Sequence, residues 1–395
     1  MDKNFIYEKA NEIKEWLIKV RRDLHKTPEL GMEEFITRDK IKKYLDEIGI
    51  EYSESKKHTG ITGIILNESA NMTIALRADI DALPIEEKSQ CDYKSIHGGK
   101  MHACGHDAHT AILLGVAKIL NSIKNQIPVN VKFLFQPAEE TVGGAQFMIE
   151  DGCLDNPKVD YILGLHVMPN VDTGYIEVKH NTLNASTDTI KITVDGKQAH
   201  GAYPENGVDA IVIGAHVITA LQTIVSRNIA PTNSAVLSLG IIKGGIKENI
   251  ICDKVEISGT LRTLDPKTRA FAKERIHQIV KDVSSSFGGV GTVEIEIGYA
   301  PLVNNNFVVD IIKEQGKILL GDDKVLVKEH PSLGAEDFSF FLEHTKGAFF
   351  HLGCKNESKN ITSPLHTAEF NIDEDCLPIG VAMQIMNLLS LSKIS

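Results

Sequence analysis

The sequence predicts an α/β protein interrupted by a small ferredoxin-like βαββαβ unit, and three observations carry that reading. Apolar strands alternate with helices over 72–185, and a helical pattern resumes after 299. Between them, 186–298 changes rhythm to alternating strands around two long helices. No internal repeat, low-complexity tract or long Pro/Ser linker interrupts either pattern.

The first 25 residues lack the apolar core and small-residue cleavage site of an export signal. They read as an amphipathic helix with Ile13, Trp16, Leu17, Val20 and Leu24 on one stripe. MTIALRADIDALP, from residue 72, is a strand followed by an acidic loop that ends at Pro84. MHACGHDAHTAILLGVAKIL is a polar turn opening into a helix, and VNVKFLFQPAEE is a strand stopped by Pro137. A short helix, GGAQFMIEDG, ends at Gly152, and the strand VDYILGLHVMP ends at Pro169.

The inserted stretch opens with the strand STDTIKITVDGKQAH and the helix GVDAIVIGAHVITALQTIVSRNI. Two strands follow, AVLSLGIIKGG and KVEISGTLRTLD. Asp265-Pro266 then supplies an N-cap and first helical residue, Gly288-Gly289 ends that helix, and TVEIEIGYA is the last strand. The outer pattern resumes with VVDIIKEQGKIL and closes with a helix near 374–392. One domain therefore spans 1–185 and 299–395, and 186–298 forms the other.

With 395 residues, at about 150 per domain, the chain has room for two or three domains. A hydrophobic fraction of 42% and a mean hydropathy of −0.08 describe an ordinary globular protein. Fifty-three acidic against 42 basic residues leave a net charge of −11, which argues against wrapping nucleic acid. The longest apolar run, 210–221, is too short to span a bilayer and carries His216, so no membrane role is expected. A cytoplasmic location follows as an expectation. The six cysteines then read as reduced thiols or metal ligands.

The ligand-type residues fall at the ends of the strands. Asp79 and Asp81 follow one strand, Glu139 and Glu140 another, and His166 closes a third, while Cys104 and His106 occupy the turn before a helix. Open α/β sheets gather their sites outside the carboxyl ends of strands, so these groups are expected to converge. Cys, His and carboxylate together suit Zn, Mn, Co or Ni, not Mg or Ca. Spacing leaves the set open, because His102 or His109 could replace a member of the Cys104-Gly105-His106 pair. Glu139-Glu140 also reads as a solvated helix start, His166 as a core histidine, and His366 as a plain loop residue.

Several blocks, in order, resemble one family over nearly the whole chain. They are RRDLHKTPELGMEE (21–34), LRADIDALPIEE (76–87), GKMHACGHDAHTA (99–111), FLFQPAEETVGGA (133–145), GLHVMP (164–169), His200-Gly201-Ala202-Tyr203-Pro204, GAEDFSFF (334–341) and LHTAEF (365–370). The family is the metal-dependent aminoacylase/hippurate hydrolases, the amidohydrolase branch of the dimetal exopeptidases that include carboxypeptidase G. The resemblance implies a discontinuous catalytic domain with an inserted lid or dimerisation domain. It implies two divalent ions per chain, held by Cys104, His106, Glu140, His166 and His366, with the Cys104 thiolate shared. Glu139 would be the general base, and Asp81 (or Asp79) would orient a ligand imidazole. His200, reaching a partner subunit's site in a homodimer or higher homo-oligomer, would stabilise the oxyanion. Asn249 and Arg262 would clamp a substrate carboxylate, and Gly334 would let the backbone approach the substrate.

The activity so implied is hydrolysis of the amide bond of an N-acyl amino acid. Alternatives are an N-acetyldiaminopimelate deacetylase of lysine biosynthesis, a cysteine amidase using Cys104 as nucleophile, and a non-enzymatic metal-binding protein.

Overall fold

The computed structural model describes residues 3–394, which form two compact units. The first comprises the chain up to Asn181, Val303–His330, and the chain from Asp337. The second comprises Thr182–Leu302 and Pro331–Glu336. That last segment lay outside the 186–298 span expected from strand rhythm. It joins the second unit because Ala185 donates its N–H to the carbonyls of Ser332 and Gly334.

Eight strands build the sheet of the first unit: β1 (Glu51–Glu54), β2 (Ile61–Ile65), β3 (Thr73–Asp79), β4 (Asn130–Gln136), β5 (Tyr161–Asp172), β6 (Ile176–Val178), β7 (Val325–Val327) and β8 (Lys346–Lys355). Their order is β1-β2-β4-β3-β5-β8-β6-β7. The centre, β4-β3-β5-β8, is parallel, whereas β1 and β2 pair antiparallel at one edge. Every residue of β3 and β4 is buried, as expected of central parallel strands covered on both faces.

Three helices matter for the site: α1 (Lys14–His25), α2 (His106–Ser122) and α3 (Cys376–Leu391). Helix α2 packs against β3, α1 and α3, and its apolar residues are buried around nearly its whole circumference. The N-terminal amphipathic segment is two helices, because the chain breaks at Ile13 between Lys3–Glu12 and α1. Pro169 does not stop β5, which runs to Asp172 beside a register shift in its pairing with β8, a position where a strand tolerates proline. His166 accordingly lies within β5, not at its end.

In the second unit, Asp188–Asp195, Ala235–Gly244, Lys254–Thr263 and Val290–Ile297 form one antiparallel sheet. Numbered in chain order, the strands lie 2-3-1-4, the ferredoxin-like arrangement. Ile190, Ile192, Val194, Val255, Ile257 and Leu261 face Ala210–Thr223 and Pro266–Ser286 in a separate apolar core. The Asp265 carboxylate caps the second helix by accepting the Thr268 N–H at 2.7 Å. The first helix continues as a π-helical turn over Ile224–Asn228. The 19-residue stretch Ala210–Asn228 is thereby long and apolar enough to cross a bilayer, correcting the shorter run read from sequence. Within this unit, Ile213, Val217 and Leu221 of that stretch belong to the apolar core.

Candidate metal centre

The five expected ligands all belong to the first unit, and the fold brings them to one place. The last β3–β5 pair is Arg77 with Gly164, so Asp79 and His166 each lie two residues beyond it. Asp79 is in register with Gln136 on β4, whose chain then turns through Pro137 to Glu139 and Glu140. Gly105, at φ +90°, precedes α2, and a Cβ there would lie 2.3 Å from Val167. Only glycine lets this turn pass so close to β5 and set Cys104 and His106 on either side. His366 itself adopts φ +60°, a strained conformation for a histidine and one found at functional positions.

Two triads share one thiol. Ligand atoms of Cys104, His106 and His166 lie within 4.8 Å of one another, and so do those of Cys104, Glu140 and His366. The Cys104 Sγ is 3.3 Å from Nε2 of His166 and 3.3 Å from Nε2 of His366. His366 Nε2 is 3.0 Å from Glu140 Oε1. Glu139, 7% exposed, completes a third grouping with His106 and Glu140.

The ring orientations are fixed from behind. His106 Nδ1 donates to Asp81, whose backbone O lies at 3.0 Å and carboxylate Oδ1 at 3.1 Å. The other Asp81 oxygen accepts the Glu140 N–H at 2.9 Å, so one carboxylate positions a residue of each triad. His166 Nδ1 donates to the Val167 carbonyl at 2.7 Å, leaving Nε2 toward Cys104. Such carbonyl and carboxylate partners set the tautomer of a metal-ligating imidazole.

The alternatives left open by spacing separate here. His109 donates from Nδ1 to Asp79 and accepts the Val167 N–H at Nε2 (2.9 Å), so both its nitrogens are committed. His102 is buried in neither triad, and burial pushes its pKa down to about 3.

Sequence reading missed the support beneath Asp79. Arg77, buried within β3, donates to Asp79 (2.7 Å), Gln136 (2.7 Å) and Asp337 (2.8 Å). An arginine inside an otherwise apolar buried strand was the available signal, since such a charge must be paired.

The electrostatics of these residues call for a cation. Burial alone would lower the His106 pKa, yet Asp79, Asp81 and Glu140 raise it to about 10. Burial, then Glu140 and Glu139, push the Cys104 thiol well above its usual range. Burial and the neighbouring His109 hold His166 neutral. The His106 Nε2 atom is buried without a hydrogen-bond partner, a cost of about 1–3 kcal/mol that a metal ion would remove. The residues therefore fit a dinuclear centre with Cys104 as the shared ligand.

The remaining candidates lie in the second unit and fall into two pairs. His200 pairs with Ile250 in a two-stranded ribbon, and the Gly201 N–H reaches the Asn249 carbonyl at 2.8 Å. The Ala202 N–H donates to His200 Nδ1 at 3.0 Å, which leaves Nε2 of the exposed ring to carry a proton outward. Arg262 donates to the Leu333 carbonyl at 2.9 Å, next to Gly334.

An α/β unit presenting two N/O/S triads joined by one thiol defines a dinuclear metallohydrolase. The chain belongs to peptidase family M20/M25/M40, whose model matches residues 75–386. It is 42% identical over 364 residues to the N-acetyl-L-cysteine deacetylase of Bacillus subtilis, covering 91% of this chain and 84% of the relative. It is 36% identical over 375 residues to the N-acetyldiaminopimelate deacetylase of Streptococcus sanguinis, covering 92% and 95%. The structure of the Bacillus subtilis YXEP protein, described as a dinuclear metal-binding M20 peptidase, superposes with a TM-score of 0.85 at 30% identity, covering 98% of this chain and all of that one. The protein is thus an M20 metallo-amidohydrolase acting on amide bonds of N-acyl amino acids or related conjugates.

Proposed function

We propose that the protein removes the acyl group from small N-acyl amino acids, releasing a carboxylic acid and a free amino acid. The observation that carries this reading is the pair of triads on Cys104 with Glu139 beside them. Cys104, His106 and His166 would hold one divalent ion, and Cys104, Glu140 and His366 the other, drawn from Zn, Mn, Co or Ni. When bound, the ions supply activation of a water molecule and polarisation of the acyl carbonyl.

Glu139, next in sequence to the ligand Glu140, takes the proton of the attacking water and delivers it to the leaving amine. His200 Nε2–H, contributed by a second copy of the chain in a homo-oligomer, donates to the developing oxyanion. Arg262 and Asn249 hold the substrate α-carboxylate, and Gly334 admits the backbone close to it. Asp81 keeps His106 in its ligating orientation.

A cysteine amidase would need a depressed thiol pKa, and the Cys104 environment raises it. That disfavours a free thiolate nucleophile, whereas a bound divalent cation would itself deprotonate the thiol and hold it as a ligand. The relative from Streptococcus sanguinis keeps N-acetyldiaminopimelate as a second candidate substrate. Metal-reconstituted protein should be assayed against N-acetyl, N-benzoyl and longer N-acyl amino acids. Turnover of several, N-acetyl-methionine or hippurate among them, is expected. Turnover confined to N-acetyldiaminopimelate would replace the general reading, and turnover of none would refute both.

A further inference from the structure

A second group of histidine, carboxylate and thiol lies in the same unit and shares no residue with either triad. His25 at the end of α1, Glu87 and Cys91 bring Nε2, Oε1 and Sγ within 4.8 Å of one another. None of these three residues is a member of either Cys104 triad. His25 and Glu87 are buried, whereas Cys91 is partly exposed and gives the group an opening to solvent.

Two of the three spacings within the group are close to those of coordination, and the third is within 4.8 Å. Zinc bonds of about 2.0–2.1 Å to nitrogen or oxygen and about 2.3 Å to sulfur place tetrahedral N and O ligands about 3.3 Å apart, and O and S about 3.5 Å. His25 Nε2 and Glu87 Oε1 are 3.3 Å apart, and Cys91 Sγ and Glu87 Oε1 are 3.7 Å apart. A charge-assisted hydrogen bond between imidazole and carboxylate would be shorter, about 2.7–2.9 Å. In the central triads the corresponding distances are 3.3 Å from Cys104 Sγ to Nε2 of His166 and of His366, and 3.0 Å from His366 Nε2 to Glu140 Oε1.

The outer contacts are also those of a metal site. His25 Nδ1 donates to Asp107 at 2.7 Å, and Asp107 is itself held by the buried Arg21 at 2.8 Å. This carboxylate–histidine pair turns Nε2 toward Glu87 and Cys91. Glu87 is anchored separately, because its other oxygen accepts the Ser95 N–H at 2.7 Å. Its Oε1 is therefore the atom toward which His25, Cys91 and the Ser89 hydroxyl all converge. A divalent cation there would stand in for protons shared among these groups, and binding would release the Cys91 thiol proton to solvent.

We propose that His25, Glu87 and Cys91 form a third cation site, selective for zinc-type ions and separate from the dinuclear centre. Asp107 links the two, since it orients His25 and immediately follows the ligand His106 in α2.

The test compares metal content in full-length protein. Wild type, Cys91→Ala and Glu87→Gln are dialysed against the same free zinc concentration and zinc per chain is measured by mass spectrometry. The three proteins share the Cys104 centre, so the difference in zinc per chain reads the third site whatever the central occupancy. One equivalent fewer in both variants than in wild type is expected. Equal content in wild type and Cys91→Ala would overturn the proposal. Loss in Cys91→Ala with full retention in Glu87→Gln would overturn it too, since a lone thiol would then account for the binding.

Discussion

The two units solve opposite problems with their polar residues. In the first, ionisable groups are drawn inside: Arg77, Asp79, Asp81, His106, Asp107 and Asp337 are all at most 2% exposed. In the second, the core is an apolar layer between one sheet and two helices with a buried carboxylate, Asp188, paired with Arg269 at 2.8 Å, and His200, Asn249 and Gly334 lie exposed on surface loops and a short ribbon. The difference teaches that the first unit folds around its chemistry, whereas the second displays its candidate residues on a scaffold that does not depend on them. Changes to the ligands and their buried supports in the first should therefore disturb metal content or stability as well as rate. Changes at exposed positions in the second should leave both intact.

The largest effect is expected at Glu139. Glu139→Gln should lower turnover by roughly 10³-fold or more while leaving metal content at the wild-type value, because the amide keeps its size and loses only proton transfer. Metal analysis alongside single-turnover assays checks this, and loss of an ion would mean that the two adjacent glutamates exchange roles. His200→Ala should lower kcat by about 10²–10³-fold. It sharpens the contrast between the units only if metal content and melting temperature stay unchanged.

Asp81→Asn removes the carboxylate behind His106 and should weaken metal binding about 10–100-fold, measured by competition with a chromogenic chelator. An unchanged affinity would place the support of His106 elsewhere. Arg77→Met leaves Asp79 and Asp337 buried without their cation and should destabilise the protein by about 3–5 kcal/mol in denaturant unfolding.

A further effect is a pH dependence at Glu34. Burial raises this carboxyl from 4.5 to about 7, against the lowering influence of Thr59 and the Ala138 N–H. The folded state holds the proton more tightly than the unfolded chain. The stabilisation is complete below about 4.5 and is lost as pH rises through 7. Glu34→Gln should remove that fall, amounting to on the order of 3 kcal/mol, from the stability of wild type between pH 5 and pH 8.

Much of this architecture was legible because it is written in local patterns. The change from apolar strands to alternating ones marks the inserted unit, and Asp265-Pro266 announces the helix start that the Asp265 carboxylate caps through the Thr268 N–H. The ligand types stood out as polar groups just beyond apolar strands. His366 did not, because its role depends on a loop conformation with positive φ and on contacts to Cys104 and Glu140, more than 200 residues away in sequence. The commitment of His109 to Asp79 and Val167 was equally out of reach, since spacing cannot tell a ligand nitrogen from a bonded one. Pro169 misled because proline stops a regular ladder but is accommodated beside a bulge.

The central claim is that one thiol joins two metal sites. Anomalous diffraction from crystals of zinc-loaded protein tests it most directly. Two peaks are expected at this centre, one among Cys104, His106 and His166 and one among Cys104, Glu140 and His366, both bonded to the Cys104 Sγ. A single peak at this centre, or two peaks that leave Cys104 uncoordinated, would contradict it.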